Sequence, residues 1–293
     1  MATSTGAASW ARRFHAPLDA VHVVGYFAPE TTQTYVDAGL SDYGMGYFAS
    51  RSAAMGAVNP EVTTATFYVF SPGLVSAYIP RAWDLVSPEK VLDARYVGIE
   101  TALRRGLGDL ADGPDVAEAA DLAWSVLDGL PVAGRTLCAA HARLPRHATP
   151  VLALWQATTV LREHRGDGHV AALVLAGLDP VEALVTAVAA GASAKFLKNT
   201  RGWSPEQWAD GEQRLRDRGL LDEDALLTEA GRSARDEVET ATDRAGAEPY
   251  RRLGEDGCAR LMDLVRPLGR AIVAAGIIPR RLAGPDPAAD AKS

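Results

Sequence analysis

Lysine is nearly missing from this chain: only Lys90, Lys195, Lys198 and Lys292 stand among 30 basic residues, which are outnumbered by 37 acidic ones. The net charge of -7 and the pI near 5.4 exclude indiscriminate binding to polyphosphate, because nucleic-acid affinity rests largely on basic side chains neutralising backbone charge. Cysteine is scarcer still. Cys138 and Cys258 lie far apart with no paired motif, which excludes a disulfide framework and a thiolate zinc site and fits a reducing cytosol. No run reaches about 18 uncharged apolar residues, and the start has no basic end followed by an apolar core, so a cytoplasmic protein with no membrane partner is expected. Phosphate-cradling GxxxxGK[ST], dinucleotide GxGxxG and nucleophile-elbow GxSxG strings are all absent. No cofactor is therefore assigned.

Strand-like alternation is also rare, and what fills the chain is helix, by 3.6-residue periodicity and by Ala, Leu, Arg and Glu content. A first helix is expected over residues 8–26. Pro29 opens a second, and short helices follow at 44–54 and 60–70. Ser87 and Pro88 supply the N-cap and first position of a long helix ending near Leu107. Further helices are expected at 115–130 and 137–144, after which the loop at 145–150 divides an N-terminal region (8–150) from a second region (151–280). In the second region a helix starts at Val151, and Gly166 and Gly168 are expected to break or bend it, each costing about 1 kcal/mol in a helix interior. Asp179 and Pro180 start another helix. The Pro-, Ala- and Asp-rich tail at 284–293 is expected to be disordered.

The segment at 161–169, LREHRGDGH, packs charge and glycine between two apolar helical runs. Such residues are poor core material, so the segment is a candidate site, and three readings stand side by side. As acid/base machinery, His164 or His169 pairs with Glu163 or Asp167 and titrates near neutrality. As a metal site, His164 and His169 lie five apart and converge only across a broken helix, with no third ligand in view, so no metal ligands are assigned. As a buried ion network, Arg162, Glu163, Arg165 and Asp167 tie two helical layers together, the reading the charges favour.

A second set lies in the N-terminal region. His15 and His22 are seven apart on one helix face, with Tyr26 four residues further on. Tyr47, Phe48, Arg51, Phe67, Tyr68 and Phe70 concentrate aromatics in a chain with 7% of them. That cluster reads as core, or as the wall of an apolar pocket with Arg51 as an anion clamp. The ligand-binding candidates are His15, His22, Tyr26, Tyr47, Arg51, Tyr68 and Arg165.

Residues 204–238 carry a fold-level pattern: a helix ending in RGLL, a short strand-like ALLT, then TEAG opening a long helix. The string resembles the wing region of MarR-type winged-helix regulators. The charge pattern is wrong for a DNA reader, since twelve acids face five arginines between Ser204 and Asp243 and the tip reads Asp222-Glu223-Asp224. Over residues 10–280 a wider set of strings resembles the SalK-like family of helix-turn-helix proteins from GC-rich bacteria: HAPLDAVHVVGYFAPE at 15–30, YFASRSAAMG at 47–56, TFYVFSP at 66–72, LREHRGDGHVAAL at 161–173, RGWSPEQW at 201–208 and ETATD at 239–243. The resemblance implies a helix-rich fold containing a winged helix and carries no site residue across.

The sequence thus predicts a mainly all-α, multi-helical protein with a C-terminal winged-helix-like module, at about 165–245, that contains a short β element. Its expected function is binding of a small-molecule ligand by a protein of winged-helix regulator ancestry with weak or lost DNA binding. The alternatives are an enzyme of specialised metabolism using the segment of His164 and His169, and an operator-binding repressor. Nucleic acid is a disfavoured partner, and a homodimer is left open.

Overall fold

The computed structural model describes residues 4–279; the tail expected to be disordered at 284–293 lies outside the described residues. In chain order the helices are α1 (Ser4–His22), α2 (Val24–Phe27), α3 (Pro29–Asp37), α4 (Tyr43–Ser52), α5 (Pro60–Phe67), α6 (Pro72–Ser76), α7 (Arg81–Leu85), α8 (Pro88–Leu107), α9 (Pro114–Trp124), α10 (Thr136–Ala142), α11 (Pro150–Leu175), α12 (Pro180–Ala189), α13 (Ala194–Thr200), α14 (Pro205–Asp217), α15 (Glu229–Ala245) and α16 (Glu248–Ala274). Half of these begin at proline, whose fixed φ suits a first turn and whose missing N–H would be unpaired there in any case. Side-chain caps complete several of them. Ser87 accepts from the Lys90 amide at the start of α8, and Asp179 with Glu182 and Ser204 with Gln207 form reciprocal capping boxes on α12 and α14.

Three expectations need correction. The first helix stops at His22, and Val23 turns the chain into α2 rather than carrying it to Tyr26. Gly166 and Gly168 do not break the helix: α11 runs through both for 26 residues. The reason is packing. A Cβ on Gly168 would meet the Ala245 Cβ at 2.7 Å, so this glycine lets the end of α15 lie against α11, and tertiary contact outweighs its low helix propensity. Finally, no strand forms among the described residues. A single antiparallel bridge, Leu221 with Leu227, stands where the short β element was expected. Asp222 closes the turn tightly, its carboxylate accepting from the Asp224 and Leu226 amides, and α15 begins two residues after Leu227, which leaves no length for a ladder.

The main core gathers apolar faces of α1, α8, α9, α11 and α16, with Phe14, Ile99, Leu103, Leu152, Trp155 and Leu268 all buried. Each such side chain contributes about 1.5–3 kcal/mol by leaving water. A second cluster packs Phe48, Phe67, Phe70 and Ile79 of the α3–α7 region. A third joins the end of α11 to α12, α14 and α15 through Leu173, Val181, Leu184, Trp208, Leu215 and Val238. The spine is α11: every residue from Val151 to Leu161 is buried, and the charged stretch that follows emerges between α1 and α15.

Candidate functional site

Because a helix turns 100° per residue, the charged stretch of α11 sends its side chains to different neighbours. Arg162 pairs with Asp19 of α1 at 2.6 Å and lies 3.4 Å from Glu163. Glu163 is shared with Arg51 of α4, at 3.8 Å. Arg165 reaches Asp243 at 2.9 Å and Glu239 at 3.4 Å on α15, and Arg12 closes on the same Asp243 carboxylate. Asp167 belongs to neither group. Its carboxylate accepts from the Cys138 amide at 2.9 Å and so caps α10 from outside, a helix that has no side-chain cap of its own.

His164 and His169 face away from each other. His164 is buried beside Arg135, its Nδ1 without a hydrogen-bond partner. His169 Nδ1 lies 2.8 Å from the Thr242 hydroxyl. That hydroxyl donates its one proton to the Val238 carbonyl, so His169 Nδ1 is the donor and Nε2 carries the free lone pair. Burial, aided by Arg135 at His164, lowers both imidazoles to about 4, so both are neutral at pH 7. Burial pushes the Asp167 carboxyl the other way, up to about 6. The four residues Glu163, His164, Asp167 and His169 therefore do not meet at one point.

A cleft of about 180 Å³ opens between α1 and α11, lined by His15, Asp19, Arg162, Arg165 and His169 over an apolar floor that includes Phe14 and Tyr250. The two floor rings stack at 5.0 Å. Of the residues singled out in the sequence, His15, Arg162, Arg165 and His169 meet here. Burial lowers His15, with Asp19 opposing, so the cleft offers neutral imidazole donors and acceptors beside two arginines and one carboxylate. Asp19 was missed, although it stands four residues after His15 on the same face of α1, a spacing that makes it a neighbour.

Beneath the cleft lies a second polar layer. The His22 ring stacks on Trp155 at 5.8 Å, its Nδ1 is 3.0 Å from Thr159 Oγ1 and its Nε2 is 2.8 Å from the Tyr26 hydroxyl. Thr159 donates to the Trp155 carbonyl, so His22 Nδ1 donates to Thr159 and Nε2 accepts from Tyr26. Arg51 donates to the Tyr47 hydroxyl at 2.9 Å and its guanidinium lies 4.1 Å from the Phe67 ring centroid. Tyr68 stands apart: its hydroxyl donates to the Leu178 carbonyl, on the side of the third core. Arg95, His141 and Arg201 join the inner layer and were missed; each comes from a distant helix or turn, and no local spacing signals them. Arg95 is 2% exposed, donates to the Ser50 carbonyl at 3.0 Å and lies 4.7 Å from the Trp155 ring.

The exposed face of α14 carries Glu206, Asp210 and Asp217, and its arginines are engaged within the protein. Arg214 reaches Asp179 at 2.6 Å and Glu182 at 3.5 Å, and Arg216 reaches Glu212 at 3.5 Å. Arg218, just past the helix, meets Glu182 at 3.0 Å. Asp222, Glu223 and Asp224 are exposed at the tip.

Among the described residues no three His, Cys, Asp or Glu side chains gather as a metal would need, and no single helix is long and apolar enough to cross a membrane. Burial pushes both cysteine thiols up to about 12, which leaves them thiols, poor nucleophiles, at neutral pH. These features define an all-α protein in which the charged stretch of α11 borders a polar-lined cleft. The chain belongs to a helix-turn-helix family, whose model matches residues 11–279. Neither the curated proteins nor the solved structures include a match.

Proposed function

We propose that this protein binds a small polar molecule in the cleft between α1 and α11, on a regulator-type scaffold whose DNA binding is weak or lost. The observation that carries the reading is the cleft itself, which places His15, Asp19, Arg162, Arg165 and His169 around one half-enclosed space. Sites of this kind orient ligands with a few convergent polar groups over an apolar floor. Arg165 also gives the site a mechanical link: it lines the cleft and holds Asp243 and Glu239 of α15, the helix that follows α14. A ligand that competes for Arg165 would alter how α15 is held.

The weak-DNA-binding part rests on charge. A DNA reader needs free basic side chains on its recognition helix, whereas α14 presents acids and its arginines are bound by Asp179, Glu182 and Glu212. Winged-helix ancestry, kinship to SalK-like proteins, a cytoplasmic setting and a division near residue 150 belong to the same proposal. Thermal denaturation across a metabolite library tests it. One binder should raise Tm saturably, by the equivalent of about 2.7 kcal/mol at a hundredfold excess over Kd, and Arg165→Ala or His169→Ala should abolish that rise. A library that leaves Tm unchanged, together with salt-sensitive and sequence-selective capture of upstream DNA, would overturn the reading in favour of a repressor.

A further inference from the structure

The inner layer holds more cations than anions. Arg51, Arg95, Arg162 and Arg201 converge on it, and the carboxylates paired there are Asp19 and Glu163. Among the described residues neither Arg95 nor Arg201 forms an ion pair. Buried charges persist when they are paired and hydrogen-bonded, and two of these guanidinium groups are incomplete: the Nε atoms of Arg51 and Arg201 are both buried with no hydrogen-bond partner. Both arginines face one group of rings. Arg51 lies 4.1 Å from the Phe67 centroid and 5.5 Å from that of Tyr47, Arg201 lies 4.6 Å from Phe70, and Tyr47 and Phe70 are themselves 5.8 Å apart. Tyr43, at 52% exposure, marks the solvent edge, where its hydroxyl donates to the Tyr26 carbonyl.

We infer that Arg51 and Arg201 form an oxyanion-binding site for a small organic carboxylate or phosphate, with the body of the ligand against the rings of Tyr47, Phe67 and Phe70. Guanidinium groups suit this role because their planar forks pair two N–H donors with two oxygens. Burial lowers Arg201 from its ordinary value, with Tyr47 opposing and the like charge of Arg51 adding to the fall; an anion between the two relieves that repulsion. The site goes beyond the cleft and stands independently of it.

Its place in the fold gives it a consequence. Arg201 sits in the turn between α13 and α14. That turn is tied to the segment between α5 and α6, since Ser71 N donates to the Arg201 carbonyl at 2.9 Å and Trp203 Nε1 donates to the Val69 carbonyl at 2.9 Å. Gly202 fits there with φ of 75° and no room for a Cβ against Ser71 and Leu74. An anion held by Arg51 of α4 and Arg201 therefore fastens the α13–α14 turn to α4.

The test uses the full chain and four sodium salts at matched ionic strength: benzoate, acetate, phosphate and chloride. Tm should rise saturably by about 5 °C with benzoate if the source is an aromatic carboxylate, with acetate if any carboxylate suffices, or with phosphate if a phosphate is the source, in each case beyond chloride. Arg201→Gln should weaken that response at least tenfold, while His169→Ala, in the cleft, should leave it intact. If Arg201→Gln does not fold, Arg51→Lys keeps the charge, loses the planar fork and should weaken the response by a similar factor. Oxyanions that act no differently from chloride, or a variant that responds like the unaltered protein, would overturn the inference.

Discussion

His164 is the most exposed weakness at the scale of single residues, because it is 1% exposed and its Nδ1 has no partner. Burial holds His164 and His169 at about 4 against an ordinary value of 6.5, and His15, His22 and His141 are lowered in the same direction by the same cause. A histidine lowered in the folded state favours the fold fully above pH 6.5, and that contribution is lost as pH falls toward the folded value. Stability should therefore drop between pH 6.5 and 4, measured as Tm against pH. His164→Leu, which removes an unpaired buried polar group at similar volume, should flatten that decline and hold or raise Tm at pH 7. An unchanged acid limb in the variant would exclude His164 as a contributor. Asp167 has the opposite sign. Its pKa rises from 3.8 to about 6 through burial, so ionisation costs the fold on the order of 2–3 kcal/mol above pH 6, and the cost vanishes as pH falls below 3.8. Asp167→Asn keeps an oxygen to accept from the Cys138 amide and should raise Tm at pH 7, whereas Asp167→Ala, which uncaps α10, should lower it relative to Asn by about 1 kcal/mol.

Among the elements, α11 shows best where sequence reading succeeds and where it stops. Its start, expected at Val151 and found one residue earlier at Pro150, its apolar first half and the concentration of charge after Leu161 were legible, since they follow from local composition and period. Its continuity through Gly166 and Gly168 was not, because the interaction that favours it is contact with α15, 77 residues away at Ala245. The two glycines should behave differently. Gly168→Ala drives a methyl into Ala245 and should cost about 1–3 kcal/mol by overpacking. Gly166→Ala, whose nearest contact would be the Glu163 carboxylate at 3.4 Å, should be neutral or stabilise by up to about 1 kcal/mol through helix propensity. Equal effects of the two changes on the denaturation midpoint would refute a packing role for Gly168. The stretch from α12 to α15 teaches the same lesson. The caps at Asp179, Ser204 and Thr228 were readable from residue type, while the reduction of the expected β element to one bridge follows from the short span between Leu221 and α15.

For the molecule as a whole, the ion pairs of α11 join otherwise separate parts: Asp19 on α1, Arg51 on α4, and Asp243 and Glu239 on α15. Glu163 is the central carboxylate, with its side chain 5% exposed. Glu163→Gln would leave Arg51 and Arg162 facing each other with one fewer charge between them, and should cost about 3–5 kcal/mol, the usual penalty for breaking a buried pair from one side. Denaturant unfolding should show that loss as a lower midpoint with an unchanged m-value. If the midpoint hardly moves, the pairing is incidental to the fold. The candidate site followed the same division. His15, Arg162, Arg165 and His169 were recognised one by one as unusual residues, but their meeting in one cleft depends on α1 lying across α11. Helix type, most helix starts and the acidic character of α14 were determined by the sequence alone, because propensity, capping and charge act locally. The merging of histidines and arginines into a cleft and an inner layer, the capping of α10 by Asp167 and the clamping of the turn at Arg201 were decided only by tertiary structure, because each depends on side chains that packing of the apolar core brings together from distant helices.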